Sequence, residues 1–240
     1  MGIDKLEELI KPASLREQVE SYLREAIVSG QFKPGERLIE RELCEYMKVS
    51  RPSLREAMRA LEAEKLIVNV PHRGPIVASV TLKEARALYA LRALLEGFAA
   101  HEFTRLADHQ TVLSLGTAVA KLRAEAESGD QQRLLKAKAN FYDILLGHCN
   151  NDLVTDILHS MLLRISLLRA RSLSRPERLP TSLIEIERLY AAISARDPTL
   201  AKEIAYEHIR NAESSALDAL NSEEFSTSNE TGDANEQGTI

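Results

Sequence analysis

The chain has no run of apolar residues approaching the roughly 20 needed to cross a bilayer, and Met1-Gly2-Ile3-Asp4 does not begin a signal peptide. The expected compartment is therefore the cytoplasm, with no membrane partner. Cysteine is scarce. Cys44 and Cys149 stand alone, without metal-binding or redox spacing, so each reads as a small packing residue and no disulfide is indicated. There is no Gly-rich phosphate loop, no paired Ser/His/Asp order and no set of metal ligands, so the sequence gives little support to an enzyme.

Positive charge is also missing in bulk, since the formal net charge is −5 over 240 residues. Its distribution matters more than its sum. Residues 14–79 hold 11 basic and 10 acidic side chains, whereas residues 222–240 hold 5 acidic and none basic, so the C-terminal tail accounts for the whole deficit. Any case for nucleic-acid binding must rest on where the arginines lie rather than on overall basicity. The length suits about two domains.

Residues 39–66, IERELCEYMKVSRPSLREAMRALEAEKL, read as two helices and a tight turn. Leu43 and Met47, four apart, mark a short amphipathic helix that ends near Lys48-Val49. Ser50 caps the next helix, and Pro52 is tolerated in the first turn, where its missing N–H has no partner to lose. Leu54, Met58, Leu61 and Leu66 trace its buried face. The opposite face carries Arg51, Ser53, Arg55 and Arg59 near the exposed start. Arginine grips guanine edges in the major groove, and hydroxyls reach bases or phosphates, when such a helix docks by its N-terminal end. The plainer alternative is a solvated basic face.

Upstream, Ser14-Leu15-Arg16-Glu17 is a capping box, and Leu15, Val19, Leu23 and Ile27 form the apolar face of a supporting helix that ends at Gly30. Leu38 and Ile39 are expected to pack inward. Downstream, LIVNVPHRGPIVASV is two β-branched runs around Pro71-His72-Arg73-Gly74, a hairpin able to place Arg73 and His72 against the sugar-phosphate backbone or in the minor groove. A basic hairpin directly behind a helix-turn-helix is a wing. The segments PGERLIERELCEYMKVSRPSLREAMRALEAEKLI and RGPIVASV resemble the winged-helix domain of GntR-type bacterial transcription regulators. DNA-contacting candidates are accordingly Arg41, Ser50, Arg51, Ser53, Arg55, Arg59, His72, Arg73 and Gly74.

No flexible linker follows the wing. Thr81-Leu82-Lys83-Glu84 is another capping box, and the pattern from there is helical, with helices expected near residues 82–106, 109–128, 131–149, 152–173, 181–196 and 199–221. The fold class is mainly α: an N-terminal winged helix-turn-helix over residues 14–80, then an all-α effector-binding and dimerisation bundle over 81–221. Residues 1–13 are expected to form a loose arm and residues 222–240 a disordered acidic tail. The pieces LRALLEGFAA, NFYDILLGHCNND and AAISARDPTLAKEIAYEHI resemble the all-helical FCD domain of the FadR-like branch of the same family.

That resemblance implies a divalent metal held by one aspartate and three histidines in many members, and this sequence departs from it. Lys138 stands in the aspartate's place, Tyr142 and Ile186 in those of two histidines, and only His208 remains. A lone imidazole does not supply the three or more protein ligands of a stable site, so no metal and no other cofactor is expected. Lys138 shares a helical stripe with Leu134, Phe141 and Leu145. Arg92 lies on the stripe of Leu88, Leu95 and Ala99, and Arg164 on that of Ile157, Met161 and Leu168. Inward polar groups on several helices are the minimum description of a small anion site, so Arg92, Lys138, Tyr142, Arg164 and His208 are the effector-binding candidates. Plainer readings exist for each: Arg92 paired with Glu96 one turn on, Lys138 snorkelling to solvent, His208 a satisfied core histidine.

The expectation is a homodimeric repressor of a palindromic double-stranded operator, controlled by a small organic acid. Two alternatives are a ligand-independent DNA binder whose helical domain only dimerises, and an enzyme with an appended winged helix.

Overall fold

The computed structural model of the chain describes residues 14–172 and 178–233. Two compact units divide it, Met1–Ser79 and Val80–Ile240. In the first unit α1 (Leu15–Val28) is followed by α2 (Glu40–Met47), α3 (Arg51–Ala63) and an antiparallel hairpin of β1 (Ile67–Val70) and β2 (Gly74–Val77). Ser14 and Glu17 exchange side-chain and backbone bonds in the capping box read from the sequence. The Ser50 hydroxyl accepts from the Ser53 amide and opens α3 with Pro52 in its first turn; a cap of this kind contributes about 1 kcal/mol. Between α2 and α3 the chain reverses through Lys48 in the left-handed region, φ 54°.

The apolar spacing converges on one small core in which Val19, Leu23 and Ile27 of α1 and Leu54, Ala57 and Leu61 of α3 are all buried. Two residues expected to point inward do not. Leu15 and Ile39 are 55% and 41% exposed, because Leu15 opens α1 and Ile39 is the N-cap of α2, where the chain enters the helix from outside the packed face. Leu38 does pack inward. The segment before α2 also joins the hairpin: Arg37 bridges Ile76, and the Leu38 amide donates to the Pro75 carbonyl at 2.9 Å. This third extended piece ties α2 to the wing.

The second unit is helical throughout its described residues: α4 (Leu82–Leu106), α5 (His109–Ser128), α6 (Gln131–Gly147), α7 (Asp152–Ser172), α8 (Arg178–Ser194) and α9 (Pro198–Asp233). Thr81 and Glu84 form the predicted capping box, and Asp108 and Asp130 cap α5 and α6. Helices α4 and α9 run together along much of their length, α5 packs on α6 and α8, and a shared apolar core includes Phe103, Leu115, Phe141, Leu158, Leu189 and Ile204.

Helix α9 corrects the expected tail boundary, since its backbone stays helical through Asp233 rather than stopping at 221. The polar segment after 221 contains no proline and no glycine before Gly232, and extending an existing helix needs no new nucleus. The expectations for residues 1–13 and 234–240 lie outside the described residues.

Candidate functional site

The DNA-contacting candidates of the first unit lie on α2, α3 and the hairpin tip. Arg51, Arg55 and Arg59 are exposed along α3, Arg41 is exposed on α2, and His72 and Arg73 are exposed at the hairpin tip. The tip is a three-residue loop between paired Val70 and Gly74. His72 and Gly74 both take positive φ, 63° and 77°, a pattern that ends a strand abruptly and projects the intervening Arg73. Arg55 is held by Glu40 of α2, its Nε donating to the two carboxylate oxygens at 3.1 and 3.0 Å. The hydroxyls of Ser50 and Ser53 lie 2.9 Å apart and support the helix start. An open cleft between α3 and the hairpin is lined by Glu40, Arg55, Arg59, Glu62, Asn69 and Pro75.

Inside the second unit four helices contribute to one buried polar chain. Arg92 of α4, 1% exposed, pairs with Glu96 one turn on and donates from Nη2 to the Tyr142 hydroxyl of α6 at 2.8 Å. Its guanidinium carbon also lies 5.7 and 5.5 Å from the ring centroids of Tyr89 and Tyr142, within cation–π range. The Tyr142 hydroxyl is 3.5 Å from His208 Nε2 of α9, and His208 Nδ1 is 2.6 Å from the Glu185 carboxylate of α8. Glu185 further accepts from Arg178 at 3.0 Å and from Asn211 at 2.8 Å. Lys138 of α6 reaches Ser182 of α8 at 3.4 Å.

Direction follows from chemistry. A carboxylate cannot donate when ionised, so Glu185 fixes the imidazole proton on Nδ1 and leaves Nε2 as an acceptor for the tyrosine hydroxyl. Burial, with the charges of Lys138 and Arg92, lowers His208 to about 3 against the pull of Glu185, so the ring is neutral. Burial pushes Glu185 up, but the hydrogen bond from His208, reinforced by Asn211 and by the charge of Arg178, holds it at about 2.

Both shifts give the same sign of pH dependence. The unfolded chain protonates His208 near its ordinary 6.5 while the native chain waits until about 3, so stability declines as pH falls through that interval. Glu185 adds a second decline as pH falls from about 4.5 toward 2. His208→Gln is therefore expected to flatten the pH dependence of Tm between 6.5 and 4.5. Equally steep curves for variant and wild type would remove His208 from this role.

The structure brings Arg92, Tyr142 and His208 together, with Lys138 close enough to act on His208 by charge. Arg164 is elsewhere. Its Nη2 bonds Glu84 in the first turn of α4 at 3.2 Å, eight residues and about 12 Å along the helix from Arg92. Arg164 therefore has no place in this cluster, because the stripe that suggested it runs along one side of α7 and its long stem leads to the α4 start. Sequence reasoning did not single out Glu185, Arg178, Asn211 or Ser182. Ser182, Glu185, Ile186 and Leu189 recur at helical spacing and are all buried, so two polar residues within an apolar period were the available signal.

A divalent cation does not fit this centre. Lys138 and Tyr142 place an ammonium and a phenol where carboxylate and imidazole ligands would be needed, and the charges of Lys138 and Arg92 act on His208 as they would act on a metal ion. Among the described residues no group of three or more His, Cys, Asp or Glu is placed to hold one. No helix among them is long and apolar enough to cross a membrane.

An exposed arginine-bearing helix followed by a hairpin with Arg73 at its tip is the geometry of a winged helix-turn-helix, the fold of a class of DNA-binding regulators. Residues 15–77 match the gntR family of bacterial regulatory proteins and residues 87–211 match the FCD domain, and the chain belongs to this family. It is 26% identical over 204 residues to the HTH-type transcriptional regulator YdhC of Bacillus subtilis, covering 85% of this chain and 91% of that one. It is 28% identical over 159 residues to the gluconate operon transcriptional repressor of Bacillus licheniformis, covering 66% of this chain and 62% of the repressor. Among solved structures, McbR/YncC of Escherichia coli superposes with TM-score 0.76 over 86% of this chain and 99% of that one, at 22% identity, which establishes a shared fold.

Proposed function

We propose that the protein is a cytoplasmic repressor that binds a palindromic operator as a homodimer and is released by a small carboxylate sensed without metal. The reading domain is residues 14–80 and the sensing and dimerising domain begins at residue 81. The observation that carries the sensing role is the buried chain from Arg92 through Tyr142 and His208 to Glu185, with Lys138 beside it. A bundle that served only as a spacer gains nothing from interior ions, whose desolvation costs several kcal/mol each. Arg92 and Lys138 place two positive charges beside Tyr142 and His208, and a carboxylate that displaces His208 Nε2 would accept from the Tyr142 hydroxyl and from the Lys138 ammonium. To release DNA it must bind the non-binding conformation more tightly. Repression is supported by the gluconate operon repressor among its relatives.

Dimerisation is supported by one face of α4. Leu91, Leu94 and Phe98 recur at helical spacing and are 45%, 62% and 39% exposed. A groove beside them includes Gly97 of α4 and Tyr206 of α9. A second copy covering this stripe would bury it and supply the two-fold symmetry that a palindrome requires.

The test is calorimetry of chelator-treated protein with small mono- and dicarboxylates, on wild type and Lys138→Met. Saturable binding by wild type, at least tenfold weaker in the variant, is expected; binding that vanishes with chelation, or that Lys138→Met leaves unchanged, would refute the site. A second reading makes the bundle a ligand-independent scaffold, and what favours it is that Arg92, Tyr142, His208 and Glu185 already satisfy one another. A well-folded dimer that binds nothing in the carboxylate panel would support that reading.

A further inference from the structure

The arginines of α3 are not equivalent in the free protein. Among the described residues, Arg51 and Arg59 have no ion-pair partner, whereas Arg55 is anchored to Glu40 at the first position of α2. The anchor uses a single donor. Arg55 Nε–H is shared between the two carboxylate oxygens, at 3.1 and 3.0 Å. Both terminal nitrogens are left for other acceptors, and that pair is the fork that matches guanine O6 and N7. Exposure runs the same way: the Arg55 side chain is 61% exposed and that of Glu40 29%. The carboxylate is the more buried of the two, and the guanidinium extends outward from it.

An exposed ion pair of this kind adds little to stability, and a carboxylate close to a phosphate backbone weakens DNA binding at every sequence. Both costs make sense if the carboxylate fixes the guanidinium plane. An unanchored arginine loses rotamer freedom on docking, whereas a fork already held loses less. We propose that Glu40 is the positioning residue for Arg55, setting the specificity of base readout without itself touching a base. This rests on Arg55 reading a base, and the experiment separates the two statements.

Full-length wild type, Glu40→Ala, Glu40→Gln, Arg55→Ala and the Glu40→Ala/Arg55→Ala double variant are compared by fluorescence anisotropy on the footprinted operator and on a scrambled duplex, across a salt series. Glu40→Ala is expected to lower the ratio of operator to scrambled affinity about tenfold. Glu40→Gln, isosteric and still an acceptor, should retain part of it. The loss should vanish in the Arg55→Ala background, because Glu40 acts only through Arg55. If Glu40→Ala instead strengthens binding to both duplexes equally, with the ratio unchanged, the carboxylate merely repels phosphate and the positioning role is overturned. An unchanged ratio in Arg55→Ala would overturn the base-reading assignment itself, and the positioning role with it.

Discussion

Arg51→Ala and Arg55→Ala are each expected to remove specific operator binding while leaving the protein folded. Both side chains are exposed in the first two turns of α3, the part of a recognition helix that enters the major groove. A lost bidentate base contact costs about 1–3 kcal/mol in each half-site, so a two-fold dimer loses about twice that. Stability should barely move. Among the described residues the only ion pair broken is the exposed one between Arg55 and Glu40, which is worth at most about 1 kcal/mol. Arg41 and Arg73 are expected to provide the contrast: if they grip phosphate, their removal weakens binding to all sequences alike and flattens the salt dependence. Titrating each variant into operator and scrambled duplexes distinguishes the two classes. Wild-type operator affinity in both Arg51→Ala and Arg55→Ala would remove α3 from the groove.

Arg92→Ala should be the most damaging single change in the helical unit. The Arg92–Glu96 pair is buried, at 2% and 3% side-chain exposure. Burial alone would disfavour the guanidinium charge, but the opposing carboxylate and the flanking tyrosines outweigh it and hold the pKa above its ordinary range. Removing the cation leaves Glu96 without its partner and the Tyr142 hydroxyl without its donor, at a cost of about 3–5 kcal/mol. Replacing both ions by apolar residues of similar volume, Arg92→Met with Glu96→Leu, should recover most of that loss, because no uncompensated charge remains. Thermal unfolding of the three proteins provides the check. A single variant as stable as wild type would contradict the role given to the buried pair.

The elements with strong local signals were legible in the sequence. Capping boxes at Ser14 and Thr81, the Ser50 cap before Pro52, and the Pro71 to Gly74 turn are decided within four residues, so no tertiary information was needed to place them. The extended piece at residues 35–38 was not, because its pairing with β2 depends on a partner some 40 residues downstream. Leu15 and Ile39 failed for a related reason: apolar periodicity does not distinguish a helix-entry residue from one on the packed face.

The site divides in the same way. Arg92 and Glu96 are four apart on one helix, so their pairing could be weighed from the sequence, and the structure joins them. The meeting of Tyr142 with His208, 66 residues apart, was suggested by family resemblance and not by spacing. Arg178 and Asn211 had neither signal, and Glu185 had only its place within the apolar period of α8. Arg164 sat on an apolar stripe as Arg92 did, yet its reach carries it to Glu84, a residue read only as half of a capping box.

The most direct measurement is the affinity of chelator-treated protein for its footprinted operator, followed by anisotropy as a carboxylate that binds in calorimetry is added. The expected result is tight, two-fold-symmetric binding without added metal, and release of the DNA as the carboxylate saturates. Binding or release that appears only when a divalent cation is restored would contradict it.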